Sequence, residues 1–439
     1  MTTFSRPVLI AGERAASTWR ALAASPAVRA GAAFTLTGVG FSIANLILAR
    51  ALAPTDYGLV ALVVGVLSVA APVAPAGADL VLVRGLSEPR RRLFLRGCAT
   101  ASITAVLAAA WAAAVYRLAP SLLGLLAAGT IAGGLATLSA AWFQRRSRFA
   151  VSLGLAQSSN ILLLGAAVLT WAVGATHAIL PLALTVAGSA AVAAVGWRLV
   201  AGDRTRAADA TAFRWADALS LVVFNSAGLV FMQLERLIAP SVLTLTDLAT
   251  FGVAAALVGS PFRMLQSGVI FTVVPRLRAE STPRRRRALL AHELRLVALV
   301  MLAVAAAVVL LAPLLTRTLL GGKYELAPAL IGAMLASGVA KVLTSFVSGT
   351  VTALAGTRRL SVLGVVSWGS VAAGIAGAIV GARWGLAGLV YGATAGWAVR
   401  LVATAALAWP YLREGASSRS APTGSAPTGN ASTGSAPAD

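Results

Sequence analysis

The chain has 439 residues, of which 58% are hydrophobic and only 11% are charged, and its mean hydropathy is +0.85. This composition excludes a soluble globular domain, whose surface needs many more charged side chains to stay dispersed. The formal net charge of +22 does not indicate a nucleic-acid partner, because the arginines stand in short clusters between apolar runs and form no continuous basic face.

Apolar runs of about 18 residues or more recur along most of the chain, and a helix of about 20 residues crosses a hydrocarbon layer about 30 Å thick. The sequence therefore predicts an all-α polytopic membrane protein with about 12 transmembrane helices. The predicted spans are 30–49, 57–83, 97–116, 122–142, 150–173, 178–197, 215–238, 249–274, 296–316, 326–352, 360–381 and 385–409.

The first break between two spans has the sequence ALAPTDYG, at residues 51–58. Pro54 fixes its own φ and disfavours helical conformation at Ala53, so the first helix must end here. Asp56 is expected to be the N-cap of the second helix, where its carboxylate accepts from unpaired amide groups. Two membrane-length helices that meet at a short, charged turn are the unit that we expect to recur.

The chain also shows signs of an internal duplication. Gly58 and Gly252 follow similar turn sequences and lie 194 residues apart, and Arg84 and Arg276 lie 192 residues apart. A repeat of six spans predicts two pseudo-symmetric lobes of the same orientation, related by an axis along the membrane normal. The expected domains are a cytoplasmic N-terminal segment (1–29), an N-lobe (30–209), a C-lobe (210–412) and a disordered cytoplasmic tail (413–439).

The basic residues indicate the orientation in the cytoplasmic (inner) membrane of the cell. If both termini are cytoplasmic, 27 of the 36 Lys and Arg residues fall in inner segments and six in outer connections, which fits the positive-inside rule. The outer connections are all short. They leave no room for the external catalytic domain of a membrane glycan polymerase or ligase, so we do not expect an enzyme.

Two basic residues are predicted near the middle of spans, Arg263 in the eighth and Lys341 in the tenth. A charge at that depth costs about 2.5–3.5 kcal/mol on insertion scales, so both are candidate substrate ligands that face a central cavity and bind a pyrophosphate. A structural ion pair is the alternative. No Asp or Glu is predicted at the same depth, and this favours an anionic cargo. Arg400 lies closer to the inner face, where its side chain can also extend to the interface.

Acidic groups are few, and two of them are candidates for coupling or gating. Asp79 follows the Pro72–Gly77 interruption of the second span, where it either pairs with Arg84 or takes part in ion coupling. Glu235 and Arg236 are predicted at the outer end of the seventh helix, where a salt bridge is expected to gate access.

Uncharged polar residues within spans complete the set of candidate substrate ligands. Such amides bridge helices more often than they contact a substrate. The candidates are Asn45, Asn160, Asn225 and Gln266, together with Arg50 at the outer end of the first helix and Arg236. We expect no cofactor: the sequence has no phosphate-binding P-loop, and its two histidines, His177 and His292, are isolated and form no metal constellation.

Several segments resemble one known family. ILARALAPTDYGLVALV (47–63), FMQLERLIAP (231–240), LLGGKYELAPALIGAML (319–335) and RWGLAGLVYGAT (383–394) are similar, in order and spacing, to motifs of the polysaccharide exporter family. That family belongs to the MOP superfamily, with lipid-linked peptidoglycan-precursor flippases and MATE drug exporters. Relatives usually have Asp-Arg in the seventh helix where this chain has Glu235-Arg236, so roles there do not carry over directly.

The resemblance implies a MOP/MATE-like fold and a flippase for polyprenyl-pyrophosphate-linked oligosaccharides, which works by alternating access of two six-helix lobes. Its expected partners are the lipid-linked oligosaccharide, the bilayer, and a polysaccharide polymerase or glycosyltransferases. The alternatives are a MATE-type drug/cation antiporter, a membrane glycan polymerase or ligase, and a scaffold without transport activity. A cation antiporter needs buried carboxylates to compensate its cargo. The charges predicted at mid-membrane depth are instead the basic Arg263 and Lys341, and this favours the flippase.

Overall fold

The computed structural model describes residues 26–83, 90–203, 213–355 and 357–413, and these residues form helices joined by short connections. The predicted N-terminal segment up to residue 25 and the predicted tail from residue 414 lie outside the described residues. The helices are α1 (Pro26–Ala51), α2 (Pro54–Val73), α3 (Ala78–Val83), α4 (Arg90–Tyr116), α5 (Pro120–Arg145), α6 (Phe149–Ala172), α7 (Ile179–Gly202), α8 (Trp215–Met232), α9 (Leu234–Val242), α10 (Leu245–Ala254), α11 (Ser260–Ala279), α12 (Pro283–Leu320), α13 (Pro328–Leu354), α14 (Thr357–Gly381) and α15 (Gly385–Leu412).

Among the described residues, nine helical stretches are long and apolar enough to cross a membrane, or ten if the bent pair α8–α9 is one span. One of the nine, Arg359–Leu412, contains both α14 and α15, and the apolar part of α1 is the shorter helix Leu36–Ala51. The prediction of an all-α, multi-pass membrane protein is confirmed. The count of 12 spans stays a prediction.

The helices pack as two bundles that touch along several helix pairs. Helices α1, α4, α5, α6 and α7 pack with one another, and α11, α13, α14 and α15 pack with one another. Between the bundles, α1 lies against α11, α2 against α10, and α3 against α8. We call the helices α1–α7 the N-lobe and α8–α15 the C-lobe. The boundary predicted between residues 209 and 210 lies outside the described residues.

The break between α1 and α2 lies where Pro54 predicts it: α1 ends at Ala51 and α2 begins at Pro54, with Ala53 in extended conformation. The prediction that Asp56 is the N-cap of α2 is wrong, since no side chain caps this helix. Instead Asp56 Oδ1 accepts the backbone N–H of Ala178, 2.8 Å away at the start of α7. Pro54 lies in the first turn of α2 and has no N–H group that needs a cap. The Asp56 carboxylate therefore accepts a hydrogen bond from a neighbouring helix instead.

The second predicted span, 57–83, is not one helix. Helix α2 ends at Val73, and the chain turns through Ala76 (φ 49°) and Gly77 (φ 79°) before α3 begins at Ala78. Gly77 suits this left-handed backbone, and a Cβ there would overlap the carbonyl oxygen of Ala218 in α8. The turn thus brings the end of α2 and the start of α3 against the first helix of the C-lobe.

Two glycines that the duplication pairs in sequence also meet at the lobe contact. A Cβ on Gly58 of α2 would overlap the carbonyl oxygen of Leu245 in α10. A Cβ on Gly252 of α10 would lie 2.9 Å from the Tyr57 hydroxyl oxygen of α2. The two helices therefore approach each other through their small residues, and this close approach holds the lobes together.

Candidate functional site

A sharp bend divides the seventh predicted span. Helices α8 and α9 meet at Gln233 at an angle of 59°, so the first turn of α9 carries Glu235 and Arg236 into the protein interior. These side chains are only 2% and 3% exposed. The sequence predicts them at the outer end of the seventh helix; the structure places both after the bend within that span and buries them.

The buried Glu235 forms a salt bridge with Lys341 of α13, whose side chain is partly exposed. The Lys341 Nζ lies 2.9 Å from Glu235 Oε1, and the Ser337 hydroxyl donates to the same oxygen at 3.3 Å. The expectation that no carboxylate lies at the depth of the two central cations is therefore wrong. Sequence periodicity cannot show this pair, whose members are 106 residues apart.

Two arginines face the same aromatic ring at the lobe contact. The guanidinium carbons of Arg236 and Arg263 lie 5.4 Å and 5.7 Å from the centre of the Phe41 ring of α1. Phe41 is buried, and its neighbour Ser42 is 2.6 Å from Ser260 in α11, hydroxyl to hydroxyl. Cation–π contacts lower the cost of burying a guanidinium, but they satisfy few of its five N–H donors.

The C-lobe cavity lies among α8, α9, α10, α11 and α13. Its polar lining consists of Glu235, Arg236, Arg263, Gln266, Ser337 and Lys341. The lining therefore holds three cations and one carboxylate, a formal net charge of +2. Two buried atoms here, Arg236 Nη1 and Gln266 Oε1, have no hydrogen-bond partner among the described residues. The cavity encloses only about 30 Å³, which is room for about two water molecules.

A π-helical turn forms one wall of the C-lobe cavity. Residues Ala255–Gly259 between α10 and α11 widen the helix by one residue, and Ala255 and Gly259 line the cavity. Such turns interrupt the regular hydrogen-bond ladder and occur often at functional sites. The turn sets the rotation of α11 that presents Arg263 to Phe41.

The N-lobe cavity lies among α2, α5, α6 and α7 and encloses about 370 Å³. Its polar lining consists of Ser68, Thr137, Gln157, Ser158, Ser159, Asn160, Thr185 and Ser189. None of the described residues that line it carries a charge. Phe41 itself belongs to the lining, so its ring neighbours both the neutral cavity and the two guanidinium groups.

The structure brings some of the predicted ligands together and places others elsewhere. Arg236, Arg263, Gln266 and Lys341 line the C-lobe cavity, and Asn160 lines the N-lobe cavity. The remaining candidates lie outside both cavities.

Asn45 and Arg50 make structural contacts. Asn45 donates to the Phe41 carbonyl oxygen at 2.7 Å and accepts from the Tyr57 hydroxyl at 3.2 Å. The exposed Arg50 donates to the carbonyl oxygen of Leu319 at 2.9 Å, and its own carbonyl accepts from the Lys323 ammonium at 2.7 Å. These bonds link α1 and α2 to each other and to the segment after α12.

Three further candidates also lie away from the cavities. Asn225 is exposed on α8, and Arg400 lies 5.7 Å and 5.6 Å from the ring centres of Phe231 and Trp397. Asp79 is buried on α3, but its predicted partner Arg84 lies outside the described residues. Within the described part of the chain no group of three His, Cys, Asp or Glu side chains is arranged to hold a metal.

Sequence reasoning missed Phe41 and Ser337. Both are common residue types in apolar helices, and no local pattern distinguishes them from core residues. Only their position between the charged groups shows their importance. The Gln233 bend is equally hidden, since no proline or glycine stands within four residues of Gln233 to mark a kink.

A sequence profile of the polysaccharide biosynthesis protein family matches residues 47–328 of this chain. The matched region runs from the end of α1 to the start of α13 and includes most of both cavities. No curated protein matches the sequence.

Solved structures of MATE transporters share the fold. An inward-facing multidrug resistance MATE family transporter of the MOP superfamily has a TM-score of 0.60 and 15% identity, covering 85% of this chain and 94% of its own. A MATE structure in the bent conformation has a TM-score of 0.54, 15% identity and coverages of 88% and 94%. An outward-facing MATE transporter has a TM-score of 0.50, 14% identity and coverages of 89% and 97%. At such low identity the likeness shows the fold alone.

Proposed function

The chain belongs to the polysaccharide biosynthesis protein family, and on this premise we propose that it is a secondary-active flippase for polyprenyl-pyrophosphate-linked oligosaccharide. Its apolar helices and MATE-like fold make it a multi-pass membrane protein, and together with the family they support an exporter. The observation that carries the proposal is the net charge of +2 in the C-lobe cavity at the lobe contact. A diphosphate has the opposite charge and the oxygen acceptors that unpaired guanidinium donors need.

The C-lobe cavity has the chemistry of an anion site in a closed state. Lys341 is held by Glu235, whereas no salt bridge engages Arg236 or Arg263 among the described residues. An incoming diphosphate supplies the negative charge that the two arginines lack, and it competes with Glu235 for Lys341. Buried charges without a counter-ion are costly, and an ion pair is stronger in the protein interior than at a surface exposed to water. Both effects favour binding of the anion in this cavity.

The small volume of the cavity indicates that the cargo enters another conformation. About 30 Å³ does not admit a diphosphate, so the lobes or helices α11 and α13 must move apart for binding. Alternating access supplies such a movement, since the site at the lobe contact opens to one face at a time. In our proposal the protein lies in the cytoplasmic membrane with both termini in the cytoplasm. It delivers its cargo to a polymerase or glycosyltransferase and catalyses no covalent step.

The test removes the gene and then restores single variants. Deletion should cause lipid-linked saccharides to accumulate on the inner leaflet, and the wild-type gene should relieve this. Arg263→Gln should fail to relieve it, because losing one charge-assisted hydrogen bond weakens diphosphate binding about 10- to 100-fold. Arg317→Gln, at an exposed position in the last turn of α12, is the matched control and should restore export. Normal surface glycan in the deletion strain, or full export with inserted Arg263→Gln, would contradict the proposal.

A drug/cation antiporter remains the second candidate, because Glu235 places a carboxylate in the cavity. That carboxylate is already paired with Lys341, and the surrounding charge repels cations. Proteoliposomes separate the two functions: efflux of a cationic dye that Glu235→Gln abolishes would favour the antiporter. A flippase should show no dye efflux and should move a fluorescent polyprenyl-pyrophosphate saccharide between leaflets.

A further inference from the structure

The N-lobe cavity has a lining that suits a neutral, hydroxyl-rich ligand. Eight of its lining residues carry hydroxyl or amide groups, and none of those described carries a charge. An ion at membrane depth needs a compensating charge, which this lining does not offer. Its volume of about 370 Å³ lies in the range of small-molecule sites, whereas the C-lobe cavity is far smaller.

The hydroxyl groups present acceptor oxygens to the cavity. Ser68, Thr137 and Ser189 donate to carbonyl oxygens of their own helices at 2.7, 2.9 and 2.8 Å. Because each donor is used within the helix, the remaining lone pairs can accept from a ligand hydroxyl. Sugars are rich in such donors, so the hydroxyls of the lining match a saccharide.

The amide pair on α6 supplies further groups. Gln157 Oε1 accepts from Asn160 Nδ2 at 3.2 Å and from Thr37 Oγ1 at 3.3 Å. These two bonds fix the orientation of the Gln157 amide, because both donors bind its oxygen. No hydrogen bond within the described chain engages Gln157 Nε2, so that donor is available to a ligand oxygen.

The position of the cavity matches the chemistry of the cargo. In a lipid-linked saccharide the first sugar is bonded directly to the diphosphate, so the two groups need adjacent subsites. Phe41 lines the N-lobe cavity and contacts both Arg236 and Arg263. One ring therefore neighbours both the neutral cavity and two cations of the cationic cavity.

We propose that the N-lobe cavity is the glycan subsite, which binds the neutral sugar next to the diphosphate through Gln157, Asn160 and the hydroxyls of α2, α5 and α7. This inference rests on the proposed flippase function. It assigns the two ends of one cargo to two lobes: the cationic cavity binds the diphosphate, and the neutral cavity selects the sugar.

The experiment measures binding to the full chain in nanodiscs. The probes are farnesyl diphosphate, used as its methyl ester so that all probes carry the same charge, and the corresponding glucosyl, galactosyl and N-acetylglucosaminyl esters. At least one ester should bind about 3- to 10-fold tighter than farnesyl diphosphate, which corresponds to one or two neutral hydrogen bonds. Gln157→Leu and Asn160→Leu should each bring this ratio close to one and leave the affinity for farnesyl diphosphate within about twofold.

Two further variants control for damage to the fold. Gln144→Leu makes the same change at an exposed position near the end of α5 and should keep the full ratio. Ser189→Ala is a milder change in the cavity and should reduce the ratio even if the leucine variants do not insert.

Each result has a distinct meaning. If farnesyl diphosphate binds but no ester gains affinity, or if the gain survives Gln157→Leu and Asn160→Leu, the glycan subsite is refuted and the flippase proposal stands. If farnesyl diphosphate does not bind the wild-type protein, the flippase proposal itself fails. If the leucine variants instead bind the esters more tightly, the cavity recognises apolar groups and the inference is wrong.

Discussion

The N-lobe cavity and the C-lobe cavity differ in charge, in volume and in how their polar groups are satisfied. The C-lobe cavity has a net charge of +2 and encloses about 30 Å³, whereas the N-lobe cavity has no charged lining residue among those described and encloses about 370 Å³. In the cationic cavity Lys341 is drawn to Glu235, and Arg236 and Arg263 lie near Phe41, so little space is left between the helices. Hydroxyls bonded to their own helix need no partner across the cavity, so the neutral cavity can stay wide.

This difference suggests that one cargo is recognised in two ways. An anionic group is bound by long-range attraction, which tolerates movement of the lobes. A sugar is bound by short, directional hydrogen bonds, which require a fixed surface. The four predictions below test this division between the cavities, beginning with the largest expected effect.

Lys341→Met should destabilise the protein by about 3–5 kcal/mol, because it leaves the buried carboxylate of Glu235 without its cation. The double variant Lys341→Met/Glu235→Gln should recover most of this loss. Thermal unfolding in nanodiscs measures both. Equal losses in the single and double variants would show that the two side chains do not stabilise the fold as a pair.

Gly58→Ala should destabilise the contact between the lobes by about 1–3 kcal/mol, since its Cβ would overlap the Leu245 carbonyl oxygen. The control is Gly124→Ala, which meets no atom within 4 Å and should be neutral or slightly stabilising. If the cavities act together, Gly58→Ala should also weaken diphosphate binding. Unchanged unfolding temperature and binding would mean that the lobes are not held at this point.

Phe41→Leu should weaken binding of farnesyl diphosphate and of its glycosyl ester alike, because Phe41 contacts both guanidinium groups and lines the neutral cavity. The loss of two buried cation–π contacts is expected to cost about 1–2 kcal/mol. Calorimetric titration with both probes measures the change. An effect on only one probe would place Phe41 in one subsite and break the link between the cavities.

Thr37→Val should have the smallest effect. It keeps the side-chain shape but removes the hydroxyl that donates to Gln157 Oε1, which is worth about 1 kcal/mol. Only the extra affinity for the glycosyl ester should fall, by about threefold to fivefold. A fall in farnesyl diphosphate affinity of the same size would show that α1 acts on both cavities and not on the sugar alone.

Particular residues show how far the sequence predicts this site. The end of α1 and the start of α2 follow from Pro54, and Arg263 and Lys341 stand out because they are charged within apolar runs. The bend at Gln233 has no such signal. The sequence therefore does not predict that Glu235 meets Lys341, which lies 106 residues away along the chain. Local sequence predicts that Asp56 caps α2, the nearest helix, whereas its hydrogen-bond partner Ala178 lies 122 residues away.

The sequence alone determined that the protein is built of membrane-spanning helices and that a few charges lie within them. Both properties are local, since the length of an apolar run and the identity of a residue within it require no knowledge of the rest of the chain. The tertiary structure decided which charges meet, which remain unpaired and which cavity is neutral. Those outcomes depend on the Gln233 bend, the π-helical turn at Ala255–Gly259 and the close approach of α2 to α10, which join residues far apart in sequence.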